Sequence, residues 1–374
     1  MDKNKRNIKK IVAFVLALSI LLTPIISIGE SVYDLDYFVQ IMDLIQRNYA
    51  YEIEETQLLE GAIKGLFQNL DKNSEYYTEE EFQTLLEELS GDFVGIGVYI
   101  KEEKGSIIIT EPIKGSPADK AGMKPGDKLI SVDGEDVKDK SLEEVISLIK
   151  GKADTTVKIG VRRQQKNIYM NIKRAEIQIN SVEYNILDNK IGYIKISQFN
   201  PHTYENLVSA LKKLDNENIS NIIIDLRDNP GGLLGEVVEI LNLFIPEGPV
   251  VHVKYREDVE QTYYSTLKKT KYNLAVLVNE NSASASEIFA GAVQDSKVGT
   301  ILGVPTYGKG TVQQIIPLLN GDGMKLTIAE YLTPNRININ GKGIQPDIIV
   351  KNKNENKDLQ LQKAIEMLSK WPRS

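Results

Sequence analysis

The chain has no cysteine among its 374 residues and only two histidines, His202 and His252. The absence of cysteine excludes a thiol nucleophile, disulfide bonds and thiolate metal sites. The formal net charge is −7 and no strongly basic domain stands out, which argues against a nucleic-acid partner. Neither histidine lies in a glycine-rich setting, so each is interpreted as a surface or packing residue. We therefore predict no metal and no other cofactor.

The first thirty residues differ from the rest. Residues 3–10 are rich in lysine and arginine, and residues 11–26 are almost wholly apolar. This order is typical of a secretory signal or a short N-terminal membrane anchor. The apolar run is short for a membrane span, and Pro24 would break its helix near the end. We predict that residues 1–30 export the protein, which is then secreted or anchored to the cell membrane; cleavage and retention both stay open.

Residues 31–91 are predicted to form an N-terminal helical segment. Apolar residues recur at helical spacing from about Asp34 to Leu89. Thr78 and Glu81 have the spacing of a capping box, which predicts the start of a third helix. Residues 70–74 have the composition of a turn, and no chemistry is apparent there.

Residues 92–174 change to short strands separated by glycine-containing turns. Asp133 and Gly134 predict a hairpin turn, and Ser141 and Glu144 predict a capped helix over residues 141–149. Val-Gly-Ile-Gly at residues 94–97, Gly-Ser-Pro-Ala at 115–118 and Pro-Gly-Asp at 125–127 give this segment a resemblance to a PDZ domain.

A PDZ domain binds an extended peptide as an added strand and holds its terminal carboxylate on backbone N–H groups. The resemblance places that peptide site at Val94, Gly95, Ile96 and Gly97. Two other interpretations stay open: a turn-rich β domain without a ligand, and a PDZ domain that binds internal peptides or a sister domain.

Residues 175–352 alternate strands with helices, which indicates an α/β layer on a mostly parallel sheet. We predict four strands, at residues 191–196, 221–226, 274–278 and 298–302. We predict helices between them, at residues 204–214, 235–244 and 285–295. A further strand is expected at 324–332, and an amphipathic helix at 359–368 within the C-terminal segment 353–374.

Ser284 and Lys309 are the residues that indicate chemistry. Ser284 lies in Asn-Ser-Ala-Ser-Ala-Ser-Glu at 281–287, and Lys309 lies between two glycines in Tyr-Gly-Lys-Gly-Thr-Val-Gln at 307–313. A serine nucleophile needs a base, and lysine is a known alternative to histidine. Lys309 would have to be neutral, with a pKa lowered from about 10.4 towards 7–8, which costs roughly 4 kcal/mol. Desolvation can supply that shift, and the Gln313 amide could accept a hydrogen bond from the lysine amine.

A reaction at Ser284 also needs an oxyanion hole. The backbone N–H of Ala285, at the start of the predicted helix, is one candidate donor. The second is expected in the diglycine loop at residues 225–232, from Gly231 or Gly232, at the carboxyl edge of the sheet. The residues alone leave open whether Ser282 or Ser286, rather than Ser284, is the nucleophile.

These motifs together resemble the C-terminal processing peptidases, the tail-specific serine proteases of the S41 family. The resemblance covers nearly the whole chain after the signal segment and includes Gly-Ile-Gln-Pro-Asp at 343–347. It implies Ser284 as nucleophile, Lys309 as base, Gln313 as the residue that orients the lysine, and Gly231 and Ala285 as oxyanion donors. Residues 333–336, Thr-Pro-Asn-Arg, depart mildly from the family pattern.

The resemblance further implies an α/β multidomain fold, with a helical N-terminal segment, a β-rich PDZ domain with two helices and a ClpP/crotonase-like protease core. We expect hydrolysis of protein or peptide substrates with free, apolar C-termini, gated by the PDZ domain, and a homodimer. Two other functions stay open: a PDZ adaptor on an inactive protease fold, and a Ser-His-Asp hydrolase that uses His202 or His252.

Overall fold

The computed structural model describes residues 34–352 and 357–370, so the predicted signal or anchor segment lies outside the described residues. The chain divides into two compact units, Met1–Asn69 and Leu70–Ser374. The boundary falls inside the segment 31–91 that the sequence predicts as one helical part. No helix among the described residues has both the length and the apolar character needed to cross a membrane.

In the first unit the structure describes two helices, α1 (Leu35–Asn48) and α2 (Glu55–Phe67). The Asp34 carboxylate caps α1 by accepting a hydrogen bond from the Tyr37 N–H at 2.8 Å. Met42 is the one buried residue of α1, although several of its apolar side chains are exposed, among them Leu35, Val39 and Leu44.

The second unit begins with a turn, a short strand β1 (Glu75–Tyr77) and helix α3 (Glu79–Ser90). The predicted capping box is present, since the Thr78 N–H donates to Glu81 at 2.8 Å. Helix α3 ends at Gly91, whose φ of 70° is the left-handed conformation that favours glycine at this position.

The PDZ-like part contains a six-stranded antiparallel sheet with two helices. The sheet runs in the order β3-β4-β5-β7-β8, and β6 pairs with β5. Its elements are β3 (Val98–Glu102), β4 (Ile107–Pro112), α4 (Pro117–Lys120), β5 (Lys128–Val132), β6 (Glu135–Asp136), α5 (Leu142–Ile149), β7 (Thr156–Arg163) and β8 (Lys166–Lys173). The predicted hairpin turn is confirmed, because Asp133 and Gly134 both have positive φ, 50° and 89°.

A two-stranded ribbon joins this part to the rest of the unit. Strand β2 (Asp92–Gly95) pairs antiparallel with β9 (Ala175–Gln178), so the chain enters and leaves the PDZ-like part side by side.

The remaining residues build an α/β core around a second six-stranded sheet, in the order β10-β11-β12-β15-β16-β19. Apart from the antiparallel edge pair β10–β11, all its neighbours are parallel, as predicted. The strands are β10 (Val182–Leu187), β11 (Ile191–Ile196), β12 (Asn221–Asp225), β15 (Asn273–Val278), β16 (Gly299–Gly303) and β19 (Ile348–Ile349).

Helices cover both faces of the parallel sheet. Three lie on one face, where they share a core with alternate strand residues: α6 (Thr203–Asn216), α7 (Leu234–Leu241) and α8 (Ala285–Asp295). Helix α9 (Leu359–Ser369) covers the other face, where Ala364 and Leu368 pack on Ile223 and Leu302. Part of the predicted C-terminal segment 353–374 is therefore part of the core.

A second, antiparallel sheet adjoins this core, in the order β1-β18-β13-β14, with β17 also paired to β18. Its strands after β1 are β13 (Gly248–Tyr255), β14 (Glu260–Ser265), β17 (Thr311–Pro317) and β18 (Gly323–Leu332). The architecture has the three parts that the sequence predicts: a helical N-terminal segment, a PDZ domain and an α/β core.

Candidate active site

Ser284 occupies the residue just before helix α8, in the loop that leaves β15. Its backbone is in a rare conformation, with φ 54° and ψ −115°. The N–H groups of Glu287 and Ile288 donate to its carbonyl oxygen at 2.8 and 3.0 Å, which holds the residue in place. Ser284 is partly exposed, whereas both flanking alanines are buried.

The two competing serines have structural roles instead. Ser282 is fully buried, and its hydroxyl donates to the Leu226 carbonyl at 2.8 Å. Ser286 is also fully buried, and its hydroxyl donates to the Asn229 carbonyl at 3.0 Å. Because only Ser284 reaches solvent, the structure favours it as the nucleophile, which the residues alone did not decide.

A buried carboxylate, Glu287, holds the serine loop and the lysine loop together. One oxygen, Oε2, accepts hydrogen bonds from the N–H groups of Ser284 at 2.9 Å and Lys309 at 2.8 Å. The other, Oε1, accepts from the Thr306 hydroxyl at 2.5 Å and the Gly308 N–H at 2.7 Å. Glu287 has no exposed surface, so these four donors replace its hydration.

Tyr331 adds a second link between the same two loops. It lies on β18, is 1% exposed, and its hydroxyl oxygen is 2.6 Å from the Lys309 carbonyl and 3.1 Å from the Ser284 carbonyl. Burial and the nearby Glu287 raise the pKa of the Tyr331 hydroxyl well above its ordinary value. The phenol therefore stays protonated and can donate to either carbonyl.

Lys309 is in an environment that favours its neutral form. Burial lowers the pKa of its ammonium group, and the positive charge of Lys325 lowers it further. The carboxylates of Asp71 and Glu287 oppose this effect, and Lys72 adds a smaller lowering. The net direction is downward, as the chemistry of a lysine base requires.

Gln313 lies on β17, beside a bulge between Val312 and Gln313. Its amide nitrogen Nε2 donates to the hydroxyls of Thr311 at 2.8 Å and Thr327 at 3.0 Å. Neither bond uses the carbonyl oxygen Oε1. Its role in orienting Lys309 stays a prediction.

The predicted oxyanion donors lie beside the serine. A Cβ atom added to Gly231 would come within 2.8 Å of the Ser284 Cβ and 3.0 Å of the Ala285 nitrogen. In this conformation, however, the Gly231 N–H donates to Asn229 Oδ1 at 2.8 Å. Among the described residues the Ala285 N–H has no acceptor, and neither does that of Gly232, the alternative that the sequence left open. Oxyanion binding by Gly231 therefore requires Asn229 to release its N–H.

Among the described residues, neither histidine side chain has a hydrogen bond to a serine. His202 pairs with Asp92 at 2.9 Å on the surface of the linking ribbon. His252 is buried on β13, where Nδ1 lies 2.8 Å from the Thr262 hydroxyl and Nε2 donates to the Pro334 carbonyl at 3.2 Å. This geometry favours the lysine over a histidine base.

The PDZ residues of the prediction lie at the junction of ribbon and PDZ sheet. Val94 and Gly95 end strand β2, and Ile96 is buried in the PDZ core. Gly97 has φ 78°, and its carbonyl accepts from the Ile113 N–H and the Ser116 hydroxyl. This turn directs the chain into β3, a strand at the edge of the PDZ sheet.

Comparison with known proteins assigns these parts to families. Residues 190–350 match peptidase family S41, residues 108–163 match the PDZ domain, and residues 27–81 match the activating protease CtpB N-terminal domain. The carboxy-terminal processing protease CtpB of Bacillus subtilis is 38% identical over 325 residues, which are 85% of this chain and 68% of that protein. The chain belongs to peptidase family S41.

Other members of the family support the assignment. A probable CtpA-like serine protease of Staphylococcus haemolyticus is 41% identical over 308 residues, which are 81% of this chain and 62% of that protein. The match thus spans about two thirds of the length of these relatives. The photosystem II D1 C-terminal processing protease has a similar structure, with a TM-score of 0.50, 26% identity and coverage of 90% of this chain and 98% of its own. The chain is accordingly an S41 serine-type peptidase of the C-terminal processing type, with a PDZ domain.

Sequence reasoning missed Glu287 and Tyr331. A signal for Glu287 was present, because Ser284 and Glu287 have the serine-x-x-glutamate spacing of a capping box. The sequence contains no signal for Tyr331, because this residue lies on β18 and its hydroxyl contacts the separate loops of Ser284 and Lys309.

Proposed function

We propose that the protein is an exported serine endopeptidase that cleaves protein substrates near their C-terminal ends. Ser284 is the nucleophile, Lys309 is the general base, and Gln313 orients the lysine. The PDZ domain recognises the substrate tail and gates access to the serine.

One observation carries this proposal: the Glu287 carboxylate binds the backbone N–H groups of both Ser284 and Lys309 through a single oxygen atom. The partly exposed serine and the desolvated lysine are thereby fixed on neighbouring loops. Such a pair meets the two requirements of a serine–lysine dyad, an accessible hydroxyl and an amine with a lowered pKa.

The reaction follows from these positions. The neutral amine of Lys309 accepts the hydroxyl proton as the Ser284 oxygen attacks the substrate carbonyl carbon. Backbone N–H groups near Gly231 and at Ala285 stabilise the negative oxygen of the tetrahedral intermediate. The intermediate collapses with cleavage of the C–N bond, and the Lys309 ammonium protonates the leaving amine. Water then hydrolyses the acyl-enzyme ester; Lys309 takes its proton and returns it to the serine.

Substrate selection would use the edge strand β3. Its outer edge can accept an extended peptide by strand addition, and the turn over Val94, Gly95, Ile96 and Gly97 precedes that edge. A free, apolar C-terminus is the ligand that this mode of binding favours.

Export and assembly are part of the proposal. The basic and apolar start of the sequence supports an extracytoplasmic protein, secreted or held at the membrane. The exposed apolar side chains of α1 support a homodimer formed through the N-terminal helices. Cell fractionation and light scattering of the purified full chain measure these two properties directly.

The activity is tested with the full chain in mild detergent and an unfolded model protein whose tail ends in either apolar or charged residues. We expect cleavage by the parent protein, faster with the apolar tail, and a loss of at least about 10³-fold in Ser284→Ala and Lys309→Ala. His202→Ala serves as the control and is expected to cleave like the parent.

Equal cleavage by the parent and by both dyad variants would overturn the site. Loss of activity in His202→Ala or in His252→Gln, with Lys309→Ala still active, would favour a histidine base. Tail binding without cleavage by any of these proteins would favour the adaptor function.

A further inference from the structure

The turn at residues 70–74 joins the active-site strands, although the sequence assigned it no chemistry. The Asp71 carboxylate folds the turn by accepting hydrogen bonds from the Asn73 N–H at 2.8 Å and the Ser74 hydroxyl at 2.9 Å. It also accepts a hydrogen bond from the hydroxyl of Thr327 on β18 at 3.0 Å. A residue more than 250 positions away along the chain is thus directly linked to this turn.

The turn reaches Gln313 from two sides. The Asn73 side-chain amide donates to the Thr311 hydroxyl oxygen at 3.2 Å. The same hydroxyl oxygen and that of Thr327 are the two acceptors of the Gln313 amide nitrogen. Every hydrogen bond described for the Gln313 side chain therefore ends on a threonine that the turn also binds.

The charge of Asp71 fixes the direction of these bonds. An ionised carboxylate can only accept, so the Thr327 hydroxyl must donate its single proton to Asp71. The Thr327 oxygen then has only lone pairs left for Gln313, and the amide group that faces it must be the NH₂ end. Burial raises the pKa of Asp71, but the hydrogen bonds that its carboxylate accepts together outweigh burial, so this pKa lies below its ordinary value and Asp71 is ionised at neutral pH.

From this network we infer that Asp71 is a positioning residue: through Thr327 it sets the orientation of the Gln313 amide, so that Oε1 is the end presented to Lys309. The inference rests on the proposed function, because it explains how a neutral amide is kept from turning a donor towards the lysine base. With the amide reversed, its NH₂ group would donate to the lone pair of the neutral Lys309 amine, and that lone pair would no longer be free to accept the Ser284 proton.

The experiment compares substitutions at Thr327 and Asp71, each in the full chain, with kcat, KM, thermal unfolding and the pH profile as readouts. Thr327→Val removes the hydroxyl and Thr327→Ser retains it. We expect Thr327→Val to lower kcat by about 10–100-fold with KM within about 2-fold, and Thr327→Ser to restore most of the loss. Asp71→Asn can present either end of its amide to Thr327, so it should also lower kcat.

The pH profile separates the direct electrostatic effect of Asp71 on Lys309 from its effect through Thr327. The charged groups around Lys309 are Lys325 on β18, Asp71 and Lys72 on the turn, and Glu287 on α8. Removing the negative charge of Asp71 should lower the pKa of Lys309, so the acid limb of kcat should move to lower pH in Asp71→Asn. Thr327→Val keeps this charge, so its loss of kcat should come without such a shift, whereas a variant that only loosens the turn would lose thermal stability without a selective loss of kcat.

Asp322→Asn is the matched control, because Asp322 is a turn carboxylate that binds Tyr76 of β1 near the other end of the β1–β18 pair. It is expected to lower the unfolding temperature without changing kcat. A parental kcat in Thr327→Val, or an equal loss of kcat in Asp322→Asn, would overturn the role inferred for Asp71. Either result would leave the proposed function unaffected. Absence of cleavage by the parent, or full activity of Lys309→Ala, would instead show that the proposed function is wrong.

Discussion

Two helices of this protein begin with the same capping motif, serine followed three residues later by glutamate. At α5 of the PDZ domain, Ser141 has an extended backbone, and its hydroxyl and the exposed Glu144 carboxylate each bind the other's backbone N–H. At α8 of the core, Ser284 has a positive φ, and the Glu287 carboxylate is fully buried. There the carboxylate binds donors from a second loop as well as its own helix.

The difference shows how one local motif can serve two purposes. At α5 the box satisfies helix N–H groups that water could otherwise reach, so it is worth little more than an ordinary cap. At α8 the same box is the centre of a buried polar network, and the lysine loop depends on it. Burial and the additional donors, rather than the motif itself, make the second box a part of the candidate active site.

The largest difference between the two capping boxes is expected when each glutamate is replaced by glutamine, in Glu287→Gln and in Glu144→Gln. Either orientation of the new amide at 287 turns an NH₂ group towards a buried N–H donor. We expect Glu287→Gln to lose about 3–5 kcal/mol of unfolding free energy and nearly all activity, measured by denaturant unfolding and proteolysis. Glu144→Gln should leave both nearly unchanged, and equal effects of the two substitutions would show that the boxes are equivalent.

A smaller effect on the unfolding free energy is expected at Lys309, whose backbone N–H binds the buried Glu287 carboxylate. Lys309→Met removes a partly desolvated charge, so it should abolish activity and raise the unfolding free energy by about 0.5–2 kcal/mol at pH 7. The folded-state pKa of Lys309 lies below its unfolded value, so the unfolded chain binds more protons and the parent gains stability as the pH rises. The advantage of the variant should therefore shrink towards pH 10.5.

Urea unfolding at several pH values measures this trend. Lys269→Met, at an exposed lysine, controls for the added apolar surface. A loss of stability in Lys309→Met at pH 7 would mean that the lysine is paired rather than destabilised by burial.

The smallest effect concerns the backbone of the two serines. Glycine should be tolerated better than alanine at both caps, but the gap should be wider at 284, by roughly 1 kcal/mol, because only Ser284 has positive φ. Thermal unfolding of the four variants at 141 and 284 gives the two gaps. Equal gaps would show that the conformation of Ser284 carries no strain.

Much of the fold was predictable because its signals are local. Strand Ile191–Ile196 and helix Ala285–Asp295 have the bounds that apolar runs and breakers predicted. Most strands of the antiparallel sheet were not predicted. Strand β18 was expected, but β17 was not, because Thr311–Pro317 lacks a clear alternation of apolar and polar residues. Its strand conformation depends on pairing with β18. Motifs and the family resemblance predicted Ser284 and Lys309 as a dyad, which stays a prediction, and the burial of Ser282 and Ser286 supports the choice of Ser284.

The network around the site was beyond local reasoning. Asp71 signals only a turn, because its partner Thr327 is distant in sequence. Glu287 has the signal of a cap, yet its contacts to Thr306 and Gly308 depend on how two loops meet in three dimensions. Such contacts join residues that are distant in sequence, so they can be identified only once the whole fold is known.

The ribbon of β2 and β9 has a consequence for how such proteins change over time. Gly95 pairs with Ala175, so the two ends of the PDZ domain lie one strand spacing apart, about 5 Å. A domain whose two ends lie close together can be removed or replaced without changing the path of the chain through the core, because a short hairpin would join the two ends. If the PDZ domain recognises substrate as proposed, new substrate preferences can arise by exchanging this domain while the loops of Ser284 and Lys309 remain unchanged.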